Sequence, residues 1–272
     1  HGNAASVPLL PEGGHGVMAK DLLTASDVSM VFGGLKAIAD FNVHIKNGEL
    51  LGLIGPNGAG KTTAFNLFTG VYQPTTGEIV QGRSIVGLKP YQITERGIAR
   101  TFQNIRLFGE LSVLDNVKIA YHCHMNYGLL ASVLRLGRYW EEERRLEEEA
   151  YRLLAIFHLA DAAQEKAKNL PYGAQRRLEI ARALAAQPSL LLLDEPAAGM
   201  NPQETRELMD MIRWVKKDFG ITILLIEHDM ALVMGICERI YVLEYGAIIA
   251  NGTPEEIRSN PEVIRAYLGA EE

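Results

Sequence analysis

Three apolar runs, each bounded by polar residues, set the pattern of this chain. Residues 49–54 (ELLGLI), 189–194 (SLLLLD) and 221–226 (ITILLI) show no alternation of apolar and polar positions. Runs of this kind are typical of strands that are buried on both faces of a parallel sheet. Residues 37–45 (AIADFNVHI) alternate instead, as a strand with one exposed face does. The pattern predicts an α/β fold, with a parallel central sheet and an antiparallel β region around its first strand.

The pattern becomes helical from about residue 107 and returns to strands near residue 190. Within this stretch, residues 141–149 (EEERRLEEE) carry so much charge that a solvent-exposed helix face is the simplest interpretation. A further helix is expected to begin near Gly173. This part of the chain predicts a helical insertion between two strands of the sheet.

A glycine-rich stretch directly follows the first apolar run. Residues 55–63 (GPNGAGKTT) fit the phosphate-loop pattern GxxxxGK[ST], between a predicted strand and a predicted helix. Such a loop turns its N–H groups toward phosphate oxygens, and the helix N-terminus adds partial positive charge. Lys61 would reach the β- and γ-phosphates, and the Thr62 hydroxyl would ligate magnesium. A glycine-rich turn with an unrelated lysine is the alternative. The predicted nucleotide-binding residues are Gly55, Pro56, Asn57, Gly58, Ala59, Gly60, Lys61, Thr62 and Thr63.

Acidic residues end the second apolar run, and a histidine follows the third. Asp194 and Glu195 stand at the C-terminal end of a strand, where ligands bind in open α/β sheets. We expect Asp194 to hold Mg²⁺ through water and Glu195 to act as the base or orienter of the attacking water; an acidic turn is the alternative. His228 has the same placement after the third run, although a lone histidine is usually structural. Gln103 could ligate magnesium through its amide oxygen, although an isolated glutamine carries little signal.

Composition narrows the class of protein. The chain has 272 residues, of which 47% are hydrophobic and 22% charged, enough for an α/β core with a subdomain. Its net charge of −6 argues against nucleic acid as the main partner. No apolar run approaches the ~18 residues of a membrane span, so membrane attachment is expected to come through partners. Cys123 and Cys237 form no CxxC pair, consistent with a reducing cytosol. A metal site at residues 122–124 (HCH) is disfavoured, because successive helical residues point in different directions.

The motifs, in this order, resemble those of ABC-transporter ATPase subunits, and the resemblance runs from about Leu22 to the end. Four segments are similar to one subfamily, the ATP-binding subunit of branched-chain (hydrophobic) amino-acid importers. These segments are residues 100–108 (RTFQNIRLF), 192–201 (LLDEPAAGMN), 224–230 (LLIEHDM) and 252–269 (GTPEEIRSNPEVIRAYLG). The resemblance implies a P-loop NTPase core with a helical subdomain, and ATP hydrolysis coupled to transport.

The resemblance also implies roles for single residues. Phe32 matches an aromatic residue that stacks on adenine, with an ordinary core phenylalanine as the alternative. Gln103 matches the glutamine that joins the magnesium site to the membrane-facing helical region, and His228 matches the histidine that contacts the γ-phosphate. Asn201 falls where the family commonly carries aspartate, which leaves the contact made there across a dimer open. The predicted catalytic residues are Glu195 and His228, and the predicted metal ligands are Thr62, Gln103 and Asp194.

Residues 170–177 (LPYGAQRR) resemble the family's signature, Leu-Ser-Gly-Gly-Gln, and depart from it. The positions of its serine, two glycines and glutamine are taken by Pro171, Tyr172, Gly173 and Ala174. Proline has no hydroxyl and no N–H to donate to phosphate, although it suits a helix entrance. The Gly173 N–H and the positive helix end remain for the phosphate of a second subunit. We expect this trans site to work and to be weaker.

The chain is expected to divide into three parts. Residues 1–17 are interpreted as an unstructured remnant that is not native, and Met18 as the native start. Residues 18–252 form the ABC ATPase domain, with a helical subdomain inserted at about 107–172. Residues 253–272 form a helical tail, whose first helix begins in a capping box (TPEE). Asn260 is expected to cap a second helix, which Gly269 ends.

One phosphate loop and one signature indicate a single cassette, and the family pairs two cassettes head to tail around ATP. The resemblance implies a dimer with itself or with a paralogous ATPase subunit, two transmembrane permease subunits and, indirectly, a periplasmic or extracellular solute-binding protein. It places the chain at the cytoplasmic face of the cell membrane as a peripheral subunit. The partners are expected to dock near Gln103, where Arg106, Leu107 and Phe108 offer a basic and apolar patch. No nucleic-acid partner is expected.

Two other functions stay open. The ATPase of a related exporter, such as the lipopolysaccharide-transport ATPase, shares the tail and the layout, so only its partners would distinguish it. A soluble ABC ATPase that works on DNA or ribosomes carries a long coiled-coil insertion or tandem cassettes, and this sequence shows neither. The transported cargo cannot be read from the sequence, because in the family this subunit never touches it.

Overall fold

The structure, a computed structural model, describes residues 21–121 and 137–268. The predicted N-terminal remnant and native start, the His-Cys-His stretch and the expected helix stop at Gly269 lie outside the described residues. The strands in the described ranges are β1 (Asp21–Phe32), β2 (Leu35–Lys46), β3 (Leu50–Ile54), β4 (Thr76–Gln81), β5 (Arg83–Ser84), β6 (Ile98–Arg100), β7 (Leu190–Asp194), β8 (Thr222–Ile226), β9 (Arg239–Glu244) and β10 (Ala247–Gly252). The α-helices are α1 (Lys61–Phe68), α2 (Pro90–Glu95), α3 (Val113–Tyr121), α4 (Gly137–Ile156), α5 (Tyr172–Ala185), α6 (Pro202–Phe219), α7 (Met230–Ile236), α8 (Pro254–Arg258) and α9 (Pro261–Leu268).

The strands form two sheets within the described ranges. An antiparallel sheet has the order β2-β1-β4-β5, and a larger sheet has the order β10-β9-β3-β8-β7-β6. In the larger sheet, β9, β3, β8, β7 and β6 run parallel, whereas β10 pairs antiparallel with β9. The predicted parallel central sheet beside an antiparallel β region is therefore confirmed, with one antiparallel edge strand added. The edge strand β10 escaped prediction because it is only partly buried and shows no clear apolar pattern.

The three apolar runs form β3, β7 and β8, and every residue of these strands is buried. In β7, Leu191 and Leu193 pack into one hydrophobic cluster, while Leu190 and Leu192 pack into a second cluster on the other face. Burial on both faces is why these runs do not alternate. Because the three strands are neighbours and parallel, the residues after them meet at one edge of the sheet.

Between β6 and β7 the chain leaves the sheet. The described part of this segment contains α3 and α4, which pack against α5, and short 3₁₀ turns at Ala160–Ala162 and Ala167–Asn169. The α4 side chains of Arg145 and Glu148 are 74% and 71% exposed, as the charge pattern predicted. The helix α5 begins in this region, and its buried residues share one hydrophobic cluster with residues of β7. It therefore joins the helical region to the central sheet.

The tail carries the caps that its sequence predicted. Thr253 begins α8 in a capping box with Glu256, and the Asn260 side chain accepts hydrogen bonds at the start of α9. Both helices pack against β10, and α8 also contacts β9. Across residues 21–121 and 137–268, no helix combines the length and the apolar character needed to cross a membrane.

Candidate active site

The phosphate loop (residues 55–63) joins β3 to α1 along a path that only glycine can follow at two points. Gly55 and Gly60 have φ angles of 154° and 106°. A Cβ on Gly55 would lie 2.0 Å from the Leu243 carbonyl oxygen, and a Cβ on Gly60 would lie 2.8 Å from the Ala37 carbonyl oxygen. Both obstacles are backbone atoms that cannot rotate away. The fold of the chain itself therefore requires these two glycines.

The middle of the loop combines exposed and anchored residues. Asn57 and Gly58 are exposed, and Pro56 is half-buried. Ala59 is buried, donates its N–H to the Pro56 carbonyl at 3.1 Å and accepts from the Gly246 N–H at 2.9 Å. The turn between β9 and β10 thus supports the loop at Ala59, while Asn57 and Gly58 stay accessible to solvent.

The first turn of α1 presents unpaired donors to this loop. Gly60 caps the helix without a side-chain hydrogen bond. The N–H groups at the start of a helix have no carbonyl partner within it, so those of Lys61, Thr62 and Thr63 can bind an anion. Thr62 is exposed and Thr63 half-buried, which places both within reach of solvent ligands.

The Lys61 side chain lies folded across the loop. Its Nζ donates hydrogen bonds to the carbonyl oxygens of Gly55 and Pro56 at 2.7 and 3.0 Å, and the residue is buried. Burial lowers the pKa of Lys61 below its ordinary value, opposed by the negative charges of Glu195 and Asp194. The ammonium is therefore held inside the phosphate loop, close to both acids.

Asp194, at the end of β7, forms a buried ion pair. Its Oδ2 lies 2.6 Å from an Arg100 guanidinium nitrogen, and the two side chains are only 6% and 7% exposed. Arg100 also donates to the Asn66 side chain in α1 at 2.7 Å and stacks on the Phe102 ring. Sequence reasoning gave Arg100 no role. The only available signal was a basic residue at the end of a short strand beside Gln103.

Glu195, the next residue, has a strained backbone and two polar neighbours. Its φ is +45°, in the left-handed region that costs a non-glycine residue about 1–3 kcal/mol. Its Oε2 accepts a hydrogen bond from the Gln103 amide nitrogen at 2.6 Å and lies 3.8 Å from His228 Nδ1. Strain of this kind persists where the surroundings enforce it, often at active sites. Two other predicted site residues, Gln103 and His228, thus lie beside the Glu195 carboxylate.

Glu227 is a buried acid that sequence reasoning passed over. Its side chain is 1% exposed and accepts hydrogen bonds from the backbone N–H groups of Ala197 at 2.8 Å and His228 at 3.2 Å. Burial raises the pKa of Glu227 above its ordinary value, and these donated hydrogen bonds oppose the rise. The residue ties the turn after β7 to the turn after β8, and so fixes His228 relative to Glu195. An acid directly before a candidate histidine was the signal that could have found it.

The predicted magnesium ligands can be tested against their donor atoms. No cluster of three or more His, Cys, Asp or Glu residues suitable for a metal occurs among the described residues. Mg²⁺ in nucleotide sites needs no such cluster, since one or two protein oxygens, water and phosphates suffice. The Thr62 hydroxyl is exposed, and the ion pair with Arg100 engages Asp194 Oδ2, which leaves Oδ1 for a metal-bound water. The donor set therefore fits nucleotide-bound magnesium, with Gln103 available through its amide oxygen.

Phe32 lies at the end of β1, away from the hydrophobic core. Its ring meets the Tyr72 ring edge to face, with centroids 5.1 Å apart, and 39% of the residue is exposed. The alternative interpretation as a core phenylalanine does not hold. An exposed aromatic surface is what stacking on a base requires.

The signature segment (residues 171–174) begins α5. Pro171 is the exposed N-cap residue, with φ −54° and ψ 152°, and its side chain makes no capping hydrogen bond. Tyr172 is 44% exposed, and its hydroxyl donates to the Ala198 carbonyl at 2.8 Å. The tyrosine thus lies against the turn that follows Glu195, in the same chain.

The other two signature positions differ in exposure. A Cβ on Gly173 would meet only the end of the Glu204 side chain, at 3.3 Å. Ala174 is buried among the core residues, so only its backbone can contribute to a contact with a second chain. Asn201, which replaces the family's common aspartate, is the N-cap of α6 and forms a capping box with Glu204.

These features define a class of protein. A phosphate loop between a buried strand and a helix, with an acid pair at the end of another parallel strand of the same sheet, is the nucleotide-hydrolysing site of a P-loop ATPase. A family model described as ABC transporter matches residues 38–198, and one described as branched-chain amino acid ATP-binding cassette transporter matches residues 247–272. The chain belongs to the ABC transporter family as one of its ATP-binding cassettes, and the resemblance seen in its motifs is confirmed.

Curated relatives align over nearly their whole length. The high-affinity branched-chain amino acid transport ATP-binding protein LivG of Salmonella typhimurium is 48% identical over 253 residues, which cover 93% of this chain and 99% of LivG. The corresponding protein BraF of Pseudomonas aeruginosa is 46% identical with the same coverage. The lipopolysaccharide export system ATP-binding protein LptB of Escherichia coli is 35% identical over 248 residues, covering 91% of this chain and 97% of LptB.

Solved structures support the same fold. The ADP conformation of MJ1267, an ATP-binding cassette of an ABC transporter, matches with a TM-score of 0.79 and 30% identity, covering 92% of this chain and 99% of that one. A nucleotide-free ATP-binding cassette matches with a TM-score of 0.78 and 30% identity, covering 91% and 99%. The predicted fold class and the assignment to the ATP-hydrolysing cassettes are confirmed.

Proposed function

We propose that this chain is the ATP-hydrolysing subunit that energises an importer of branched-chain amino acids. The observation that carries the proposal is a complete phosphate site joined to a tail that matches the branched-chain amino acid cassette model over residues 247–272. The amino-acid transport relatives are 46–48% identical, against 35% for the export relative. Export is therefore less well supported and becomes an outcome of the test.

The side chains around the loop support a division of labour in hydrolysis. Lys61 and the start of α1 bind the β- and γ-phosphates, and Thr62 with Asp194 would hold the Mg²⁺ that neutralises phosphate charge. Glu195 orients the attacking water and accepts its proton, because its carboxylate is the acid placed next to the metal ligand. His228, 3.8 Å from Glu195, contacts the γ-phosphate.

Two further residues complete the proposed nucleotide site. Phe32 stacks on adenine with its exposed ring surface. Gln103 contributes its amide oxygen near the metal while its nitrogen donates to Glu195 at 2.6 Å. This hydrogen bond holds the carboxylate that is proposed to be catalytic.

The signature segment supports assembly into a head-to-tail dimer, with this chain or a paralogous ATPase subunit as the partner. Gly173 lies half-buried in the first turn of α5, and beyond its own helix only the end of the Glu204 side chain approaches the Cβ position there, at 3.3 Å. A phosphate of the partner's ATP could approach its N–H and the positive helix end closely. Pro171 supplies no donor, so this contact is expected to be weaker than one made through a serine.

The remaining partners follow from the transport role. We propose that two transmembrane permease subunits bind the cassette at the inner face of the cell membrane, and that a solute-binding protein acts through them. The patch formed by Arg106, Leu107 and Phe108 is the proposed docking surface. Phe108 is 50% exposed there and lies five residues after Gln103 in the chain. Arg106 lies over the Phe102 ring at 4.2 Å, which holds its charge at this surface.

Reconstitution tests the proposal. The chain is co-expressed with the permease genes that accompany it, placed in liposomes with the solute-binding protein, and assayed for ATP-dependent uptake of radiolabelled leucine and valine. Uptake that disappears with Glu195→Gln supports the proposal. Assembly with a lipid-export apparatus, with no amino-acid uptake, would replace it by the export function.

A further inference from the structure

A buried ion pair lies inside α5, one turn beyond the signature segment. Arg176 Nη1 and Glu179 Oε2 are 3.0 Å apart, and the side chains are 2% and 1% exposed. A buried pair gains little net stability, because removing both charges from water costs about as much as their attraction returns. The role of this pair therefore depends on the groups that it holds in place.

Those groups are backbone atoms of the glutamine segment (residues 101–106), which connects β6 to the helical region. Arg176 donates to the carbonyl oxygens of Phe102, at 2.7 Å, and of Gln103. Glu179 Oε1 accepts from the N–H of Phe102 at 3.2 Å and of Arg106 at 3.5 Å. This segment has no helix or strand of its own, and the α5 ion pair supplies four of its backbone hydrogen bonds.

A second connection runs through the signature tyrosine. The Tyr172 hydroxyl accepts a hydrogen bond from Arg176 at 3.0 Å and donates one to the Ala198 carbonyl at 2.8 Å. Ala198 in turn donates its N–H to the Glu195 carbonyl at 3.1 Å. The start of α5 is thus linked to Glu195 from both sides, through Gln103 and through this turn.

We propose that Tyr172, Arg176 and Glu179 are positioning residues that transmit the location of the exposed end of α5 to the catalytic carboxylate. When a partner's nucleotide seats against Gly173, the three side chains set the backbone of Gln103 and hence its hydrogen bond to Glu195. The inference rests on the proposed function in treating Glu195 as the catalytic base and Gly173 as the contact for a partner's nucleotide. It assigns a role to the tyrosine that occupies a signature glycine position.

A double-mutant cycle in ATP turnover by the purified full-length chain tests this. Arg176→Lys keeps the charge opposite Glu179 but loses the planar fork that reaches two successive carbonyls. We expect kcat to fall about tenfold with KM for ATP within about twofold, since misplacing a catalytic group costs rate more than binding. In a Gln103→Ala background the same change should lower kcat by less than about twofold. Equal effects in both backgrounds would overturn the inference.

A partly buried ion pair away from the phosphate loop provides the control. Arg239 and Glu49 lie 2.7 Å apart at the opposite edge of the sheet, with side chains 19% and 10% exposed. Arg239→Lys should lower the melting temperature as Arg176→Lys does, and leave kcat unchanged in both backgrounds. If Arg176→Lys likewise changes only the melting temperature, its role is structural and the proposal fails.

If the Arg176→Lys variant does not fold, Tyr172→Phe provides a second test with the same measurements. It removes one hydroxyl that makes hydrogen bonds to Arg176 and Ala198, so the melting temperature should fall only slightly, while kcat falls about threefold. Unchanged kcat would overturn the role given to Tyr172. This test measures ATP turnover, whereas the test of the proposed function measures amino-acid uptake. A failure of uptake would therefore contradict the proposed function without contradicting this inference.

Discussion

The phosphate loop and the signature segment both stand at the start of a helix, and both are proposed to face phosphate, yet they are held in opposite ways. Gly55 and Gly60 have positive φ, and backbone atoms within 2.8 Å of the Cβ position leave no room for a side chain. Gly173 needs no positive φ and would meet only the end of the flexible Glu204 side chain, at 3.3 Å.

The difference shows which requirements arise inside this chain. The phosphate-loop glycines are enforced by their own fold, and the loop matches its motif at every position. Within this chain alone, alanine at Gly173, in the first turn of α5, would require only a small shift of the flexible Glu204 side chain. The glycine at this position leaves the start of α5 open to the close approach of a ligand, as the proposed contact with the nucleotide of a second subunit requires.

The largest effect should separate the two kinds of glycine. Gly55→Ala forces a Cβ against the Leu243 carbonyl and should lower the free energy of unfolding by roughly 4 kcal/mol or more, or prevent folding. Gly173→Ala should change it by less than about 1 kcal/mol. Urea unfolding of both variants checks this. Similar losses at both positions would remove the basis of the comparison.

The next effect concerns chemistry at the cis site. Glu195→Gln keeps the size of the side chain and removes the base, so turnover should fall by about two or more orders of magnitude while ATP binding is retained. Asp194→Asn is the contrasting variant, and it should also lose the magnesium dependence of binding. ATP affinity with and without magnesium, together with steady-state hydrolysis, measures both. If the Glu195→Gln variant hydrolyses ATP at the parental rate, Glu195 is not the catalytic base, and His228 becomes the next candidate.

Binding at the phosphate loop should depend on one charge. Lys61→Ala removes the ammonium that the loop holds near the β- and γ-phosphates, and ATP affinity or turnover should fall about 30-fold or more, that is roughly 2–4 kcal/mol. Titration with a fluorescent ATP analogue and an ATPase assay give the result. An unchanged affinity and rate would contradict the assignment of the phosphate loop.

A smaller effect should appear with pH. Burial lowers the pKa of Lys61, so the free protein loses this charge at a lower pH than the ordinary value of 10.5. ATP affinity should be constant below the lowered pKa and fall by up to about tenfold per pH unit above it. Lys61→Arg, which stays charged, should show no such fall. A decline that begins only above pH 10.5 would show that burial does not act on this group.

The sequence could predict the parts of this site that are local. The phosphate loop, the acids after β7 and the histidine after β8 each follow a buried apolar run, so strand pattern and position were enough. The pairing of Arg100 with Asp194, and the hold of Arg176 on the glutamine segment, join residues about 70–95 positions apart. No local pattern encodes such contacts, because they depend on how α5 and β6 pack. The contact of Glu227 with Ala197 likewise joins two separate turns, although the position of Glu227 directly before His228 was a local signal.

The mass of the chain in the presence of ATP tests most directly whether the signature segment serves a second subunit. Light scattering is applied to Glu195→Gln, which should trap bound ATP, and to the same variant carrying Gly173→Asp, which sets a carboxylate where phosphate should approach. We predict that ATP doubles the mass of the first and leaves the second at one chain, while both bind ATP with similar affinity. A Gly173→Asp protein that dimerises as fully as its parent would contradict the account.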